Sequence, residues 1–428
     1  MHPLLTRLPG RALLLGLVAL LACARQEPEP DDSYLVYASY RPLLMTRAAL
    51  ASSVASVAPQ PMRHPGKIFL RGAYVFVNEQ YEGIHIIDNR DPANPRPVSF
   101  LRIPGNVDLA VRGNLLYADN GPDLVTIDIS DPTHAKLASR VTEAFQELPM
   151  PEAGPLEEAC QPNKRPTGTV VIGWRKLAPG EAVPTKIKNP RGSVLFFSAG
   201  VATASPSARA DVAGKGGSLA RFAVLNQALY IVDDYSLRLY DLQNPATPVA
   251  GPRLPLGFGI ETIFPQDHYL FLGTQRGMYI FDVATATAPK QLSFYSHVVS
   301  CDPVVVDGRY AYVTLRSGRT CGGGANVLEV IDLNNLSAPS LARSYPMTRP
   351  QGLGAEHNKL YVCDDGLQSF DTSQSPILKP LQHFNTTLTD VIPNGDYLLA
   401  IGPGGLYQYR INGAVLEQVS RLAITPES

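Results

Sequence analysis

The sequence predicts an all-β chain folded as a seven-bladed β-propeller of four-stranded repeats about 40 residues long, on three observations. First, one phrase recurs seven times, a turn residue, a short apolar run with a polar insert, then usually Asp. The copies are Gly83-Ile-His-Ile-Ile-Asp88, Asp123-Leu-Val-Thr-Ile-Asp128, Ser236-Leu-Arg-Leu-Tyr-Asp241, Gly277-Met-Tyr-Ile-Phe-Asp282, Val327-Leu-Glu-Val-Ile-Asp332, Gly366-Leu-Gln-Ser-Phe-Asp371 and Gly405-Leu-Tyr-Gln-Tyr-Arg410. Second, their closing residues lie 39 to 41 apart, except for steps of 113 (128 to 241) and 50 (282 to 332). Third, Asp-Gly or Asn-Gly precedes several upstream apolar runs, as at Asp307-Gly308 and Asn394-Gly395. Such pairs make tight hairpin turns because they tolerate positive φ.

Each repeat then supplies four strands. A short apolar run such as Val304-Val305-Val306 is the innermost, the run after the Gly turn is the second, and the recurring phrase is the third. The fourth follows a Pro-containing corner (Asp91-Pro92, Asp131-Pro132, Asn244-Pro245). The recurring Asp sits at a strand end just before this corner, where its carboxylate is expected to cap the turn by accepting backbone N–H bonds.

Residues 1–22 read as a signal peptide, with Arg7 and Arg11 ahead of an apolar Ala12 to Leu21 that is too short to span a bilayer. Leu20-Leu21-Ala22-Cys23 resembles the lipobox of bacterial lipoproteins, which implies lipidation of Cys23. Ala24 after it favours the outer membrane, periplasmic or surface-exposed. Residues 23–65, charged and Pro-containing at the start, are expected to form a flexible tether, although Tyr34 to Tyr40 has strand character and is a candidate to close the ring. Residues 66–425 are the propeller.

The 113-residue step places an insertion of about 73 residues after blade two, at about 142–217. Thr169 to Trp174 and Val194 to Ser198 read as its strands, paired as a hairpin with Trp174 as a packing residue. A formal net charge of −1 gives no reason to expect nucleic acid as a partner. Of five cysteines, Cys301 and Cys321 flank one hairpin and are expected to form a disulfide in an oxidising compartment; Cys160 with Cys363 is a further candidate pair. No Cys or His spacing suggests a metal site, and no cofactor is expected.

The phrase with its Asp/Asn-Pro-x-x-Pro corner resembles the LVIVD repeat of bacterial and archaeal surface propellers, across about residues 66–425. Glu261-Thr262-Ile263-Phe264, Cys301 to Val306 and Gly352-Leu353-Gly354 are similar to a lipoprotein branch of that group. The likeness fails at Arg410 and Gly413, where the last copy has lost Asp and Pro, and across the insertion. It implies fold and surface location and transfers no catalytic residues.

Propeller sites gather where innermost strands begin. Those starts carry Lys67, Asp108, Arg221, Glu261, Asp302 and Asp390, a mixed-charge ring suited to a polar ligand at the channel mouth. His297 is the histidine near this rim. No nucleophile elbow, phosphate loop or dinucleotide fingerprint occurs. Two readings of function follow. The leading one is a membrane-anchored, non-enzymatic binding or scaffold propeller for a protein or glycan partner; the alternative is a propeller hydrolase or a cofactor or metal enzyme with its site at the channel mouth. A tight carboxylate cluster with perturbed titration would favour the enzyme; an aromatic or apolar exposed face would favour the scaffold.

Overall fold

The computed structural model describes residues 34–37, 39–151, 156–157, 160–178, 180–181, 184–187, 214–300, 303–317 and 325–425. Within them the chain is a seven-bladed β-propeller whose blades are antiparallel four-stranded sheets in sequence order. The innermost strands are Pro65–Arg71, Leu109–Arg112, Phe222–Leu225, Ile260–Gln266, Val304–Asp307, Pro350–Glu356 and Asp390–Asn394. They begin where the sequence places them because each apolar run is bounded by its own turn.

The recurring Asp caps its corner as expected. In six blades one carboxylate oxygen accepts the backbone N–H two residues on, from Arg90, Ser130, Gln243, Ala284, Asn334 and Ser373, at 2.8–3.1 Å. The register between third and fourth strands slips at one place in every blade, for example between Ile86 and Ile87 and between Gln408 and Tyr409. A bulge there increases the twist of the outer strand. A bulge serine then reaches the neighbouring blade's corner: Ser99 Oγ donates to Pro132 O, Ser139 Oγ to Ala246 O and Ser293 Oγ to Leu336 O. Second-strand tyrosines add Tyr117 Oη to Pro245 O and Tyr230 Oη to Ala286 O. The equivalent Tyr361 hydroxyl is buried with no partner, because the corner it would reach in blade seven is the degenerate one around Asn412-Gly413.

The core lies between blades rather than within one centre. Six apolar clusters fill the seven blade-to-blade wedges, the largest spanning blades one to three around Phe76, Tyr117 and Phe222. Such packing makes each blade depend on its neighbours.

Blades one and seven exchange no strand. Ser420 Oγ donates to Pro92 O, the side-chain amides of Asn89 and Gln408 bond reciprocally at 2.7 and 2.9 Å, and Thr425 N donates to Met62 O. Tyr34–Tyr37 therefore does not close the ring; it pairs with Pro184–Ile187 of the insertion. The tether is shorter than expected, since Tyr40–Thr46, the one-turn helix Arg47–Ala51 and Ala55–Val57 are folded onto the propeller. Ala55–Val57 adds to the outer edge of blade one.

Thr169–Lys176 pairs antiparallel with Tyr40–Thr46, so the partner of that insertion strand is the N-terminal segment. Val194 to Ser198 lies outside the described residues. Trp174 does pack within the insertion, its Nε1 donating to Leu148 O at 3.1 Å. Cys160 and Cys363 are both free, one against Glu157 in the insertion and the other buried in blade six, so that pair is not made. Cys23, Cys301 and Cys321 fall outside the described residues.

Candidate functional site

The channel is where sequence reasoning places the site, and the chain itself occupies it. After the insertion, Lys215–Gly216 pairs with Phe69 and Leu70 as an extra strand inside blade one. It runs antiparallel to that innermost strand, so the segment enters at the far end of the channel and rises to the mouth. Gly214 N donates to Val111 O of blade two, and Lys215 Nζ lies 2.8 Å from Glu356 of blade six and 2.7 Å from Pro393 O of blade seven. At the mouth the chain reverses through Gly217 to Ala220 and descends as the innermost strand of blade three. Close packing explains the glycines: a Cβ on Gly217 or on Gly352 would overlap the Asp390 carboxylate. Beside this segment, a small cavity lined by Phe264, Val305, Leu353 and Val391 has room for about one water.

The mouth residues are engaged within the chain. Lys67 Nζ is 2.7 Å from Asp108 Oδ2, the same oxygen that accepts Arg221 N, so these three meet. Burial pulls the Lys67 ammonium below the usual lysine value, against the opposing pull of Asp108. The Arg221 guanidinium pairs with Asp234. Glu261 accepts from Gln275 Nε2 at 3.0 Å. Asp390, fully buried, accepts from Ser218 Oγ at 2.8 Å and from the N–H groups of Ser218, Leu219 and Val391; its desolvation raises its pKa to about 6. Asp302 lies outside the described residues. Buried carboxylates at second-strand ends were missed in the sequence: Glu79 and Asp364 accept backbone N–H groups of the turns entering blades one and six, and Asp119 holds the turn leading into blade two through Asn106 Nδ2, Val107 N and Asp108 N and is likewise raised to about 6 by burial. Their strand-end position looks like the other repeats, so no pattern marks them. Among the described residues no three His, Cys, Asp or Glu side chains group to hold a metal ion. His297 Nδ1 donates to Val298 O, and burial lowers its pKa.

The open chemistry lies beside the mouth. On the same end of the propeller, Tyr235 (48% exposed), Phe258 (61%), Phe294 (40%), Val298 (53%) and Val299 (48%) stand out over blades three to five. Other exposed apolar residues, Leu137, Val249, Leu341 and Val415, are spread singly near the starts of separate outer strands, an ordinary surface pattern. The five instead gather in the loops and strand ends at this one end of blades three and four. The Tyr235 and Phe258 rings are 5.4 Å apart; Tyr279, whose hydroxyl donates to Leu256 O, carries Phe294 at 4.5 Å. Phe258 is presented between Gly257 and Gly259, whose φ values of +103° and +94° only glycine adopts without strain. Over blades one and two the same end is covered, because Thr169–Lys176 lays Ile172 and Gly173 against Gly105, Gly121 and Tyr81.

The family model for the LVIVD repeat matches residues 105–143 and 300–347. The chain carries LVIVD repeats. The two matched stretches fall on blades two and five, and the seven-bladed architecture around them is consistent with an LVIVD-repeat propeller. No curated protein matches the chain. Among solved structures it is similar to a functionally unknown protein from Desulfotomaculum acetoxidans, at 11% identity over 83% of this chain and 98% of that one, TM-score 0.53. The periplasmic gluconolactonase of Pseudomonas aeruginosa is similar at 12% identity over 85% and 98%, TM-score 0.53. BamB from Moraxella catarrhalis covers 88% of this chain and 99% of its own at 11% identity, TM-score 0.49. At these identities the likeness is one of fold.

Proposed function

We propose that the protein is a non-enzymatic binding propeller of the bacterial cell envelope, held to the outer membrane by lipid on Cys23, that docks a protein or glycan partner on the exposed aromatic face over blades three to five. The observation that carries this is the contrast between a channel filled by the chain's own segment and a contiguous apolar face left open beside it. Aromatic side chains that remain exposed and adjacent are the usual anchors of binding surfaces. The lipobox-like Leu20 to Cys23 supports the anchor, because the several acyl chains of a lipoprotein hold a soluble body firmly where one chain does not.

Two measurements test the proposal. Cys23→Ala is expected to move the protein from the membrane to the soluble fraction; unchanged membrane association sinks the anchor. Cross-linking in intact cells followed by mass spectrometry is expected to recover a partner with the native face that a Tyr235→Ser, Phe258→Ser variant of unchanged melting temperature loses. A partner recovered equally by both removes this face from the function.

A further inference from the structure

Resting on that reading, the geometry points to a specific occupant: we infer that the face over blades three to five takes an extended protein segment in which a carboxylate, seated on Arg276, lies beside apolar side chains. Arg276 stands exposed in the turn between Thr274 and Gly277, and the Phe294 ring lies over Gly277 beside it. That turn is fixed at both ends. Thr274 Oγ1 accepts Arg276 N at 3.2 Å and donates to Gly277 O at 2.8 Å, while Arg276 O accepts His297 N at 3.1 Å. The backbone is therefore held, and its guanidinium makes no ion pair or hydrogen bond with any described residue.

The neighbouring acids are already committed. Asp233 holds Arg238 at 2.8 Å and Arg253 at 3.5 Å, Asp234 holds Arg221, and Glu261 holds Gln275. A planar guanidinium with five donors is matched best by a carboxylate, and among the described residues none of these acids is left to supply it.

The covered half of the same end shows how such a face is filled. There the propeller presents an acid, Asp123, held on one oxygen by its own Arg140 at 2.8 Å, and the covering N-terminal segment adds a base, Arg47, on the other at 2.9 Å, while an extended strand lies on the glycine-rich turns. The open half has the signs reversed: the propeller presents the base, so the covering segment brings the acid. Val298 and Val299, aliphatic and exposed next to the aromatics, extend the strip in a way that suits the side chains of a protein rather than stacked sugar rings.

The test uses the full-length protein, detergent-solubilised, and a phage-displayed library of random peptides as the probe. Selected peptides are expected to pair Asp or Glu with at least two apolar residues. A synthesised winner should lose about tenfold or more in affinity against Arg276→Glu and against Phe258→Ser, keep part of it against Arg276→Lys, and weaken with salt. Selection on Arg276→Glu should enrich Lys and Arg instead. Variants are accepted only if their melting temperatures match the native protein's. Winners without acidic enrichment, or insensitive to Arg276→Glu yet lost in Phe258→Ser, overturn this inference and leave the docking face standing. Winners insensitive to both changes, or none at all, overturn both. Binding to an array of immobilised oligosaccharides that needs Phe258 and ignores Arg276 assigns the face to glycan and also overturns the inference.

Discussion

The Ser218 hydroxyl lies 2.8 Å from Asp390 and accepts Leu353 N at 2.9 Å, so one side chain fastens the channel segment to blades six and seven together. Ser218→Ala leaves a buried backbone N–H and a buried carboxyl each short of a partner. The expected loss is about 1–3 kcal/mol of unfolding free energy, read from urea denaturation. Gly217→Ala, which drives a methyl into the Asp390 carboxylate, is expected to cost at least as much. Stability unchanged in both would show that the segment is not anchored there.

Asp390 and Asp119 give the stability a particular pH dependence. Each is raised to about 6 in the folded state, against an ordinary value of 3.8, so between those limits the folded protein binds protons that the unfolded chain has released. Their contribution therefore falls as pH rises from about 4 to 6, by roughly 2–3 kcal/mol for each. Asp390→Asn is expected to be less destabilising at pH 7 than at pH 4.5. Asp131 acts with the opposite sign and in a different window: hydrogen bonds from Thr133 lower it to about 2, so its contribution disappears only as pH falls below 3.8. A difference between native protein and Asp390→Asn that does not change from pH 4.5 to 7 would falsify the assignment.

The corner-capping Asp residues are interchangeable parts. Asp332→Ala removes the bond to Asn334 N and the exposed pairing with Arg309, and should lower stability by about 1 kcal/mol. Asp241→Ala should cost a similar amount. A loss beyond about 3 kcal/mol at either position, or an effect on partner binding, would assign that Asp a role other than its turn.

Asn89 and Gln408, whose amides satisfy each other, form one of the contacts that close the ring. Either alanine variant strands the other amide in a partly buried interface, so the two single losses should exceed the double. A double-mutant cycle by thermal or urea unfolding is expected to give a coupling of about 0.5–2 kcal/mol. Strict additivity would mean that apolar packing between blades one and seven closes the ring without them.

What the sequence made legible is what recurs. The capping Asp, the Gly turn and the Pro corner are each decided by local backbone chemistry, so seven copies announced seven blades and placed every innermost strand near its start. The pairing of Tyr40–Thr46 with Thr169–Lys176 joins segments more than a hundred residues apart, with no shared pattern to align them. Lys215–Gly216 is two residues long and glycine-flanked, too short for any periodicity, although it decides whether the channel is open. For the mouth residues, charge type was readable and geometry was not: Lys67, Asp108 and Arg221 do meet, yet Asp390 turns to Ser218. The aromatic face went unnoticed because exposure has no signature in a run such as Leu256-Gly257-Phe258-Gly259. Only the glycines around Phe258 hinted that a large ring was being held away from the body.

The segment at 214–221 leans on blades one and two, made before it, and on blades six and seven, made after it. During synthesis it waits, with Lys215 and Ser218 lacking their final partners, until nearly the whole chain exists. A deletion at the C-terminus is therefore felt along the molecular axis and not merely at the missing edge. The propeller assembles around a thread that is already in place, so the order in which its parts arrive is built into its centre.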